Sequence, residues 1–351
     1  MQLSIDTAQI RRGALFFVAI GVPVVAGVWR GEPQAAQLGA VVGLTLAFAD
    51  NDKELPSRLR LLILDGLGIA VGALAGYLVR NSAAMLWPLF VAVAFATGLS
   101  ARRGREPLIV ARNAAMAFAV GGTMPAFDMQ LIWYPLGVLA LNAAARAVDH
   151  WLFGPLPLVP SAPMQRPSGH GGWLRFACAF AFASTMALWI GGSLDPTHRF
   201  WIVITTLIVM LPDANASYRR IVERITGTFA GVIAAWAITV ATHSLALISL
   251  AILVVAPFIP HHIGSRYWLH TALIALMVLL AYDLTEVGTH GLNAQGLNAQ
   301  GMNPQVMAGL LMERMKDILL GCAMALVGTV AAFPRDPAIA GSGVPPETPK
   351  K

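Results

Sequence analysis

Residues 218–231, YRRIVERITGTFAG, place Arg219, Arg220, Glu223 and Arg224 at the foot of a run without acidic or basic charge that continues to Pro260. Two glycines, Gly227 and Gly231, follow four residues apart. Helical residues at i, i+4, i+7 and i+11 share a face, so Arg220, Arg224, Gly227 and Gly231 line one stripe. Glycines four apart let a second helix backbone come close, and such a face meets protein instead of lipid. A long apolar helix with arginines turned toward a helix–helix contact is therefore the unit from which the rest of the chain is read.

The whole chain repeats that character. Of 351 residues, 57% are apolar and only 12% charged, with a mean hydropathy of +0.66. Soluble domains carry about a quarter charged residues, and their surface helices alternate polar and apolar faces. These runs are apolar all round, which excludes a soluble domain and specifies an all-α integral membrane protein. A net charge of +6 and a pI near 9.7 do not point to nucleic acid, because the basic residues fall in short loops between apolar runs. Basic loops are what membrane insertion selects. Cys178 and Cys322 lie inside apolar runs and read as packing residues without a disulfide framework. Arg11 and Arg12 ahead of an apolar stretch mimic a signal peptide, but that stretch is long and no small-x-small site follows closely, so 13–29 reads as the first span.

A span needs about 20 mostly apolar residues. On that basis helices fall near 13–29, 34–49, 59–79, 84–100, 108–124, 130–148, 173–194, 200–212, 221–241, 245–260, 267–282 and 310–333. The expectation is about twelve transmembrane helices. The segments 1–12, 50–60, 101–112, 146–175, 213–224, 261–267 and 335–351 would then share one side and hold most of the 24 Lys and Arg. The other side receives Arg30, Arg80 and Arg199, with Arg314 and Lys316 unassigned. The positive-inside rule puts both termini in the cytoplasm.

Blocks 1–148 and 173–333 resemble each other. In each, an acidic-then-basic loop, DNDKELPSRLR (50–60) or DANASYRRIVER (213–224), leads into a helix with spaced glycines: Gly68, Gly72 and Gly76, then Gly227 and Gly231. Six spans is an even number, so the expectation is two parallel six-helix repeats. A Pro- and Gly-rich cytoplasmic linker, 149–172, joins them, and the Pro-rich tail 334–351 reads as disordered. The five-residue repeat in GLNAQGLNAQGMNPQ (291–305) reads as a flexible spacer.

The charged-foot pattern recurs. Arg58, Asp65, Gly68, Gly72 and Gly76 form one stripe, and Arg314, Asp317, Gly321, Ala325 and Gly328 form another. Loop-end arginines commonly do no more than anchor helices and set topology. Ionisable groups turned toward a bundle interior, however, are costly and mark a pathway. Arginine presents a permanent cation and a planar fork of donors suited to carboxylates. Arg220, Arg224, Arg314 and Arg58 are therefore the candidate contacts for a small organic anion. Asp65, Asp317 and Glu223 are the candidate proton relays, with Asp65 foremost because it lies inside its span on the glycine face.

RFWIVITTLIVMLPDANASYRRIVERITGTFAGVIAA (199–235) resembles the core of the fusaric acid resistance family, also called aromatic acid exporters, through Trp201, Arg224, Gly227, Thr228 and Gly231. ERMKDILLG (313–321) is similar to that family's Arg–Asp–Gly element through Arg314, Asp317 and Gly321. The resemblance is good over 199–235, partial over 306–330 and weak in the first half, where Arg58 and Gly68 are loose counterparts. It implies a multi-pass protein of the bacterial inner membrane that exports small aromatic or other organic acids. It also implies distant kinship with plant malate-permeable anion channels. Many members carry a large cytoplasmic domain, where this chain has only the linker between its blocks.

Other chemistry is poorly represented. His261, His262 and His270 surround one loop but do not make the convergent clusters a metal site needs. There is no phosphate-cradling loop and no nucleophile elbow, so no enzyme, metal or cofactor is expected. Two alternatives to an exporter stay open. One is a passive anion channel; the other is a non-transporting subunit of an efflux assembly with a periplasmic adaptor. The halves could form an internal pseudo-dimer, or chains could pair as a homo-oligomer.

Overall fold

A computed structural model describes residues 7–50, 54–124, 130–156, 167, 169–194, 200–241, 244–262, 266–293 and 304–333. Among them are twelve α-helices and no strand: α1 (Thr7–Trp29), α2 (Pro33–Phe48), α3 (Leu55–Val79), α4 (Ala83–Ser100), α5 (Arg105–Gly121), α6 (Gln130–Phe153), α7 (Gly169–Leu194), α8 (Phe200–Val209), α9 (Ala214–Ala241), α10 (Leu245–Val255), α11 (Tyr267–Asn293) and α12 (Pro304–Ala332). A 3-10 segment, Ala256–His262, continues α10. The expected tail and most of the expected spacer lie outside the described residues, as does Arg199.

Local chemistry sets the helix ends. Proline opens α2 and the first turn of α3, where a missing N–H costs nothing. The Asp213 carboxylate accepts the Ala216 N–H at 3.0 Å and caps α9. At the end of α6, Gly154 takes a positive φ of 70° and donates its N–H to the His150 carbonyl at 2.8 Å. That helix runs past 148 into the expected linker because the chain finds no stop signal before this glycine.

The protein is an all-α membrane protein. Among the described residues seven helices are long and apolar enough to cross a bilayer: α1, α3, α4 with its 3-10 extension, α7, α9, and the apolar parts of α11 and α12. The twelve-span expectation is thus met only in part by length and composition. The clearest reason is α8, whose ten residues extend about 15 Å, half of a hydrocarbon core about 30 Å thick.

Packing is ordered by a simple rule. α3 lies on α5, and α9 on α11; α1 on α2, and α7 on α8; α2 on α6, and α8 on α12; α4 on α5, and α10 on α11. Across the halves, α4 meets α7 and α10 meets α1, while α2 meets α11 and α8 meets α5. Adding six to each number, and subtracting twelve where the sum passes twelve, converts the first member of every pairing into the second. Two apolar cores follow. One surrounds α8 with Phe90, Phe118, Phe176, Phe180 and Leu207; the other surrounds α2 with Phe16, Ile20, Ile252, Met277 and Leu280. Each core draws on both halves of the sequence, and the short helices α2 and α8 sit within them.

The glycine seams hold the long helices together. A Cβ on Gly72 would strike the Ala114 carbonyl, one on Gly76 the Phe118 carbonyl, and one on Gly68 would press on Val110. In the second half a Cβ on Gly227 would strike the Trp268 carbonyl and one on Gly231 the Ala272 carbonyl. On α12, Gly321 abuts Thr205 and Ile202 of α8, and Gly328 abuts Ala183 and Met210. Backbone is the obstacle in both long seams, so a methyl cannot be accommodated by a rotamer change. Gly72→Ala and Gly231→Ala should each destabilise by about 1–3 kcal/mol. Gly137→Ala, where the Cβ would meet nothing within 4 Å, should be neutral. Thermal unfolding in detergent, followed by monodispersity on size exclusion, measures the difference.

Candidate functional site

The arginines of α1, α3, α5, α6 and α9 fall into two chemically different sets. The first is neutralised. Arg58 is fully buried; its Nε and Nη2 donate to Asp50 at 2.9 and 2.8 Å, and its Nη1 donates to Asp149 at 3.2 Å. Arg11 donates to both oxygens of the same Asp149 at 2.9 and 3.0 Å. Arg146, 2% exposed, donates to the Leu46 and Ala49 carbonyls at 2.7 and 3.0 Å and approaches Asp50 at 3.6 Å. Two carboxylates and the orphan carbonyls ending α2 thus satisfy three guanidinium groups from α1, α3 and α6. Cations are favourable at a helix C-terminus, which is the α2 end here. Arg58, read from sequence as an anion contact, spends its nitrogens in this clamp.

The second set is not neutralised. Arg220 of α9 donates from Nη1 to the Ile208 carbonyl at 3.1 Å, capping α8 as Arg146 caps α2. Its guanidinium carbon also lies 4.8 Å from the centre of the Tyr267 ring, a cation–π contact. One turn further on, Arg224 is 8% exposed, and its Nε has no hydrogen-bond partner among the described residues. Arg112 of α5 lies within electrostatic range of Arg220, Tyr267 and Asp65, and its buried Nε likewise has no partner among the described residues. None of these three has a carboxylate within 4 Å among the described residues. Arg112 comes from the first half and Arg220 from the second, so like charges face each other where the halves meet.

The predicted acids separate as well. Asp65 is fully buried on the α3 seam and accepts two hydrogen bonds from the Asn113 amide of α5, at 2.9 and 3.1 Å. Glu223 pairs at 2.9 Å with Arg219, whose side chain is 71% exposed, and so forms a surface i,i+4 bridge. Asp317 pairs with Arg314 at 3.3 Å.

Arg314 sits apart from Arg220 and Arg224. Its guanidinium stacks over Trp201 at 4.4 Å and Tyr282 at 5.2 Å, at the start of α8, whereas Arg220 reaches Ile208 near the end of that helix. The separation along α8 is about 10 Å. α9 and α12 run in opposite directions, so the same Arg-then-Gly order along the chain points to opposite ends in space. The three charged feet read from sequence do not share one mouth.

The histidines take packing roles. His270 is 6% exposed, hydrogen-bonds through Nδ1 to the Ile259 carbonyl at 2.8 Å and lies edge-on to Phe48. Among the described residues no group of three or more His, Cys, Asp or Glu is placed to hold a metal ion. Two grooves among the described residues are apolar. One lies along Leu67, Val71, Ala75 and Phe118, the other along Phe17, Val22, Trp29 and Leu253, and neither is lined by an arginine.

Residues 182–328 match the family model described as fusaric acid resistance protein-like. This bears out the resemblance read from residues 199–235 and 306–330, and points to a membrane transport or resistance function. No curated protein and no solved structure matches the chain.

The clamp and the surface pair should respond differently to mutation. Asp149→Ala strips a carboxylate from buried Arg58 and from Arg11, and should cost about 3–5 kcal/mol. Glu223→Gln breaks only the exposed bridge and should cost less than about 1 kcal/mol. Denaturant titration of the purified protein in mixed micelles distinguishes the two.

Proposed function

We propose that this protein moves small aromatic or other organic acid anions out across the bacterial inner membrane, along a route lined by α5 of the first half and by α8, α9 and α11 of the second. The observation that carries the reading is the set of inward guanidinium groups, Arg112, Arg220 and Arg224, with no carboxylate within 4 Å among the described residues. Intramembrane charges are costly and are retained on pathways. A cation-lined constriction attracts anions and repels cations. The match to the fusaric acid resistance protein-like family supports a transport role from an independent direction.

In this reading the twelve helices are the spans of two parallel six-helix repeats, with both termini cytoplasmic. The paired packing under addition of six supports that arrangement. The shortness of α2 and α8 is part of it: their arginine-capped ends stop inside the bundle, as broken helices do at the midplane sites of transporters. Arg58 serves as a clamp and not as a substrate contact. Arg314, between Trp201 and Tyr282, lines the opposite end of the route with Asp317. Asp65 is the proton relay. It faces Asn113 and Arg112 of α5 and Arg146 of α6, so its charge is felt by the cationic cluster. Glu223, on the surface, takes no part.

Proteoliposomes loaded with benzoate test this. Arg112→Gln and Arg220→Gln should each lower efflux by about tenfold or more, the loss of one charge-assisted contact, while Arg219→Gln should not. Asp65→Asn should leave exchange of internal for external benzoate running but abolish its response to an imposed proton gradient. Efflux indifferent to Arg112→Gln and Arg220→Gln would refute the route. Efflux of wild-type protein indifferent to the proton gradient would mark a passive channel.

A further inference from the structure

The two glycine seams can be placed in register by their own contacts. Gly68 meets Val110 and Gly72 meets Ala114; Gly227 meets Trp268 and Gly231 meets Ala272. In that register Asp65 corresponds to Arg224, and Asn113 corresponds to Thr271. The first seam is self-contained: a buried carboxylate is held by a buried amide donor. The second seam has the cation where the first has the carboxylate, and nothing supplies the acceptor.

Three polar groups show that deficit. Arg224 is 92% buried by its 8% exposure, and its Nε has no partner among the described residues. Thr228, one turn along the same face, is 1% exposed, and its hydroxyl has none either. Thr271 is fully buried on the facing helix, its hydroxyl again without a partner among the described residues. Thr271 lies opposite Gly227, which falls between Arg224 and Thr228 in the chain: a Cβ built on that glycine would be 2.9 Å from the Thr271 Cβ. Buried polar groups are almost always hydrogen-bonded, and a cluster of donors lacking acceptors marks a place for one.

We infer that Arg224, Thr228 and Thr271 form a binding subsite for the carboxylate group of a small organic acid. A guanidinium fork flanked by two hydroxyl donors matches the acceptor geometry of a carboxylate. A single cation balances a single negative charge, which favours a monocarboxylate over a phosphate. The first seam shows the pairing that the second lacks: there the donor at the Thr271 position, Asn113, faces a carboxylate. This deepens the transport reading and rests on it for its physiological meaning, but binding is measurable without flux.

The test is isothermal titration of benzoate into the full chain in phosphatidylcholine nanodiscs, whose lipid carries no carboxylate. One saturable site is expected. Thr271→Val and Thr228→Val keep the side-chain shape and remove only the hydroxyl, so each should weaken binding roughly tenfold, and Arg224→Gln more than that. Thr226→Val, an exposed position on the same helix, should bind as the wild type does. Wild-type protein that takes up no benzoate would overturn the subsite, as would Thr271→Val and Arg224→Gln binding with unchanged affinity. Saturable binding weakened by these variants, without benzoate flux in proteoliposomes, would sink the export reading and leave the subsite standing. Flux left unchanged by the same variants would sink the subsite alone.

Discussion

A guanidinium group cannot be deprotonated out of trouble, so a chain that buries one in an apolar bundle must supply something negative or polar to face it. This protein buries several and answers that requirement in two ways. Arg11, Arg58 and Arg146 are met by Asp50, Asp149 and the carbonyls that end α2. Arg220 is met by one carbonyl and one aromatic ring, Arg112 feels Asp65 and Arg220 at longer range, and the Arg224 Nε has no partner among the described residues. The first set ties helices together. The second leaves positive potential inside the molecule, on α5 of one half and α9 of the other.

That potential persists because the framework around it cannot relax. Glycine seams bring α3 onto α5 and α9 onto α11 at backbone contact, so the arginine-bearing turn of α9 cannot rotate outward without breaking the seam. The apolar cores built around α2 and α8 draw on both halves, which fixes the halves against each other. Both short helices end on an arginine, Arg146 for α2 and Arg220 for α8, so the same device positions the neutralised set and the open one.

Much of the fold was legible in the sequence because membrane helices report themselves locally. Apolar runs and their flanking charges gave boundaries close to those of α1 to α5, and the i, i+4 glycines identified the α3 and α9 seams together with their facing direction. The clamp was not legible. Arg58 and Asp149 are 91 residues apart and Arg146 and Ala49 are 97 apart, so only the packed bundle brings them together. Arg112 was passed over as one more basic residue near a loop; its neighbour Asn113, a polar residue on a helix face, was the available signal. Arg314 was grouped with Arg224 by motif, although opposite helix directions separate them in space. Thr228 stood in plain view within the quoted stretch, but an orphaned hydroxyl becomes visible only when its surroundings are known.

The central claim is that the second seam holds uncompensated positive charge reachable by an anion from water. Thr271→Cys, introduced with Cys178→Ala and Cys322→Ala, places a thiol at that point without removing an arginine. The account predicts that a negatively charged methanethiosulfonate reagent modifies it faster than a positively charged one of similar size, and that benzoate protects it. A thiol that neither reagent reaches, or that the cationic reagent modifies faster, would contradict it.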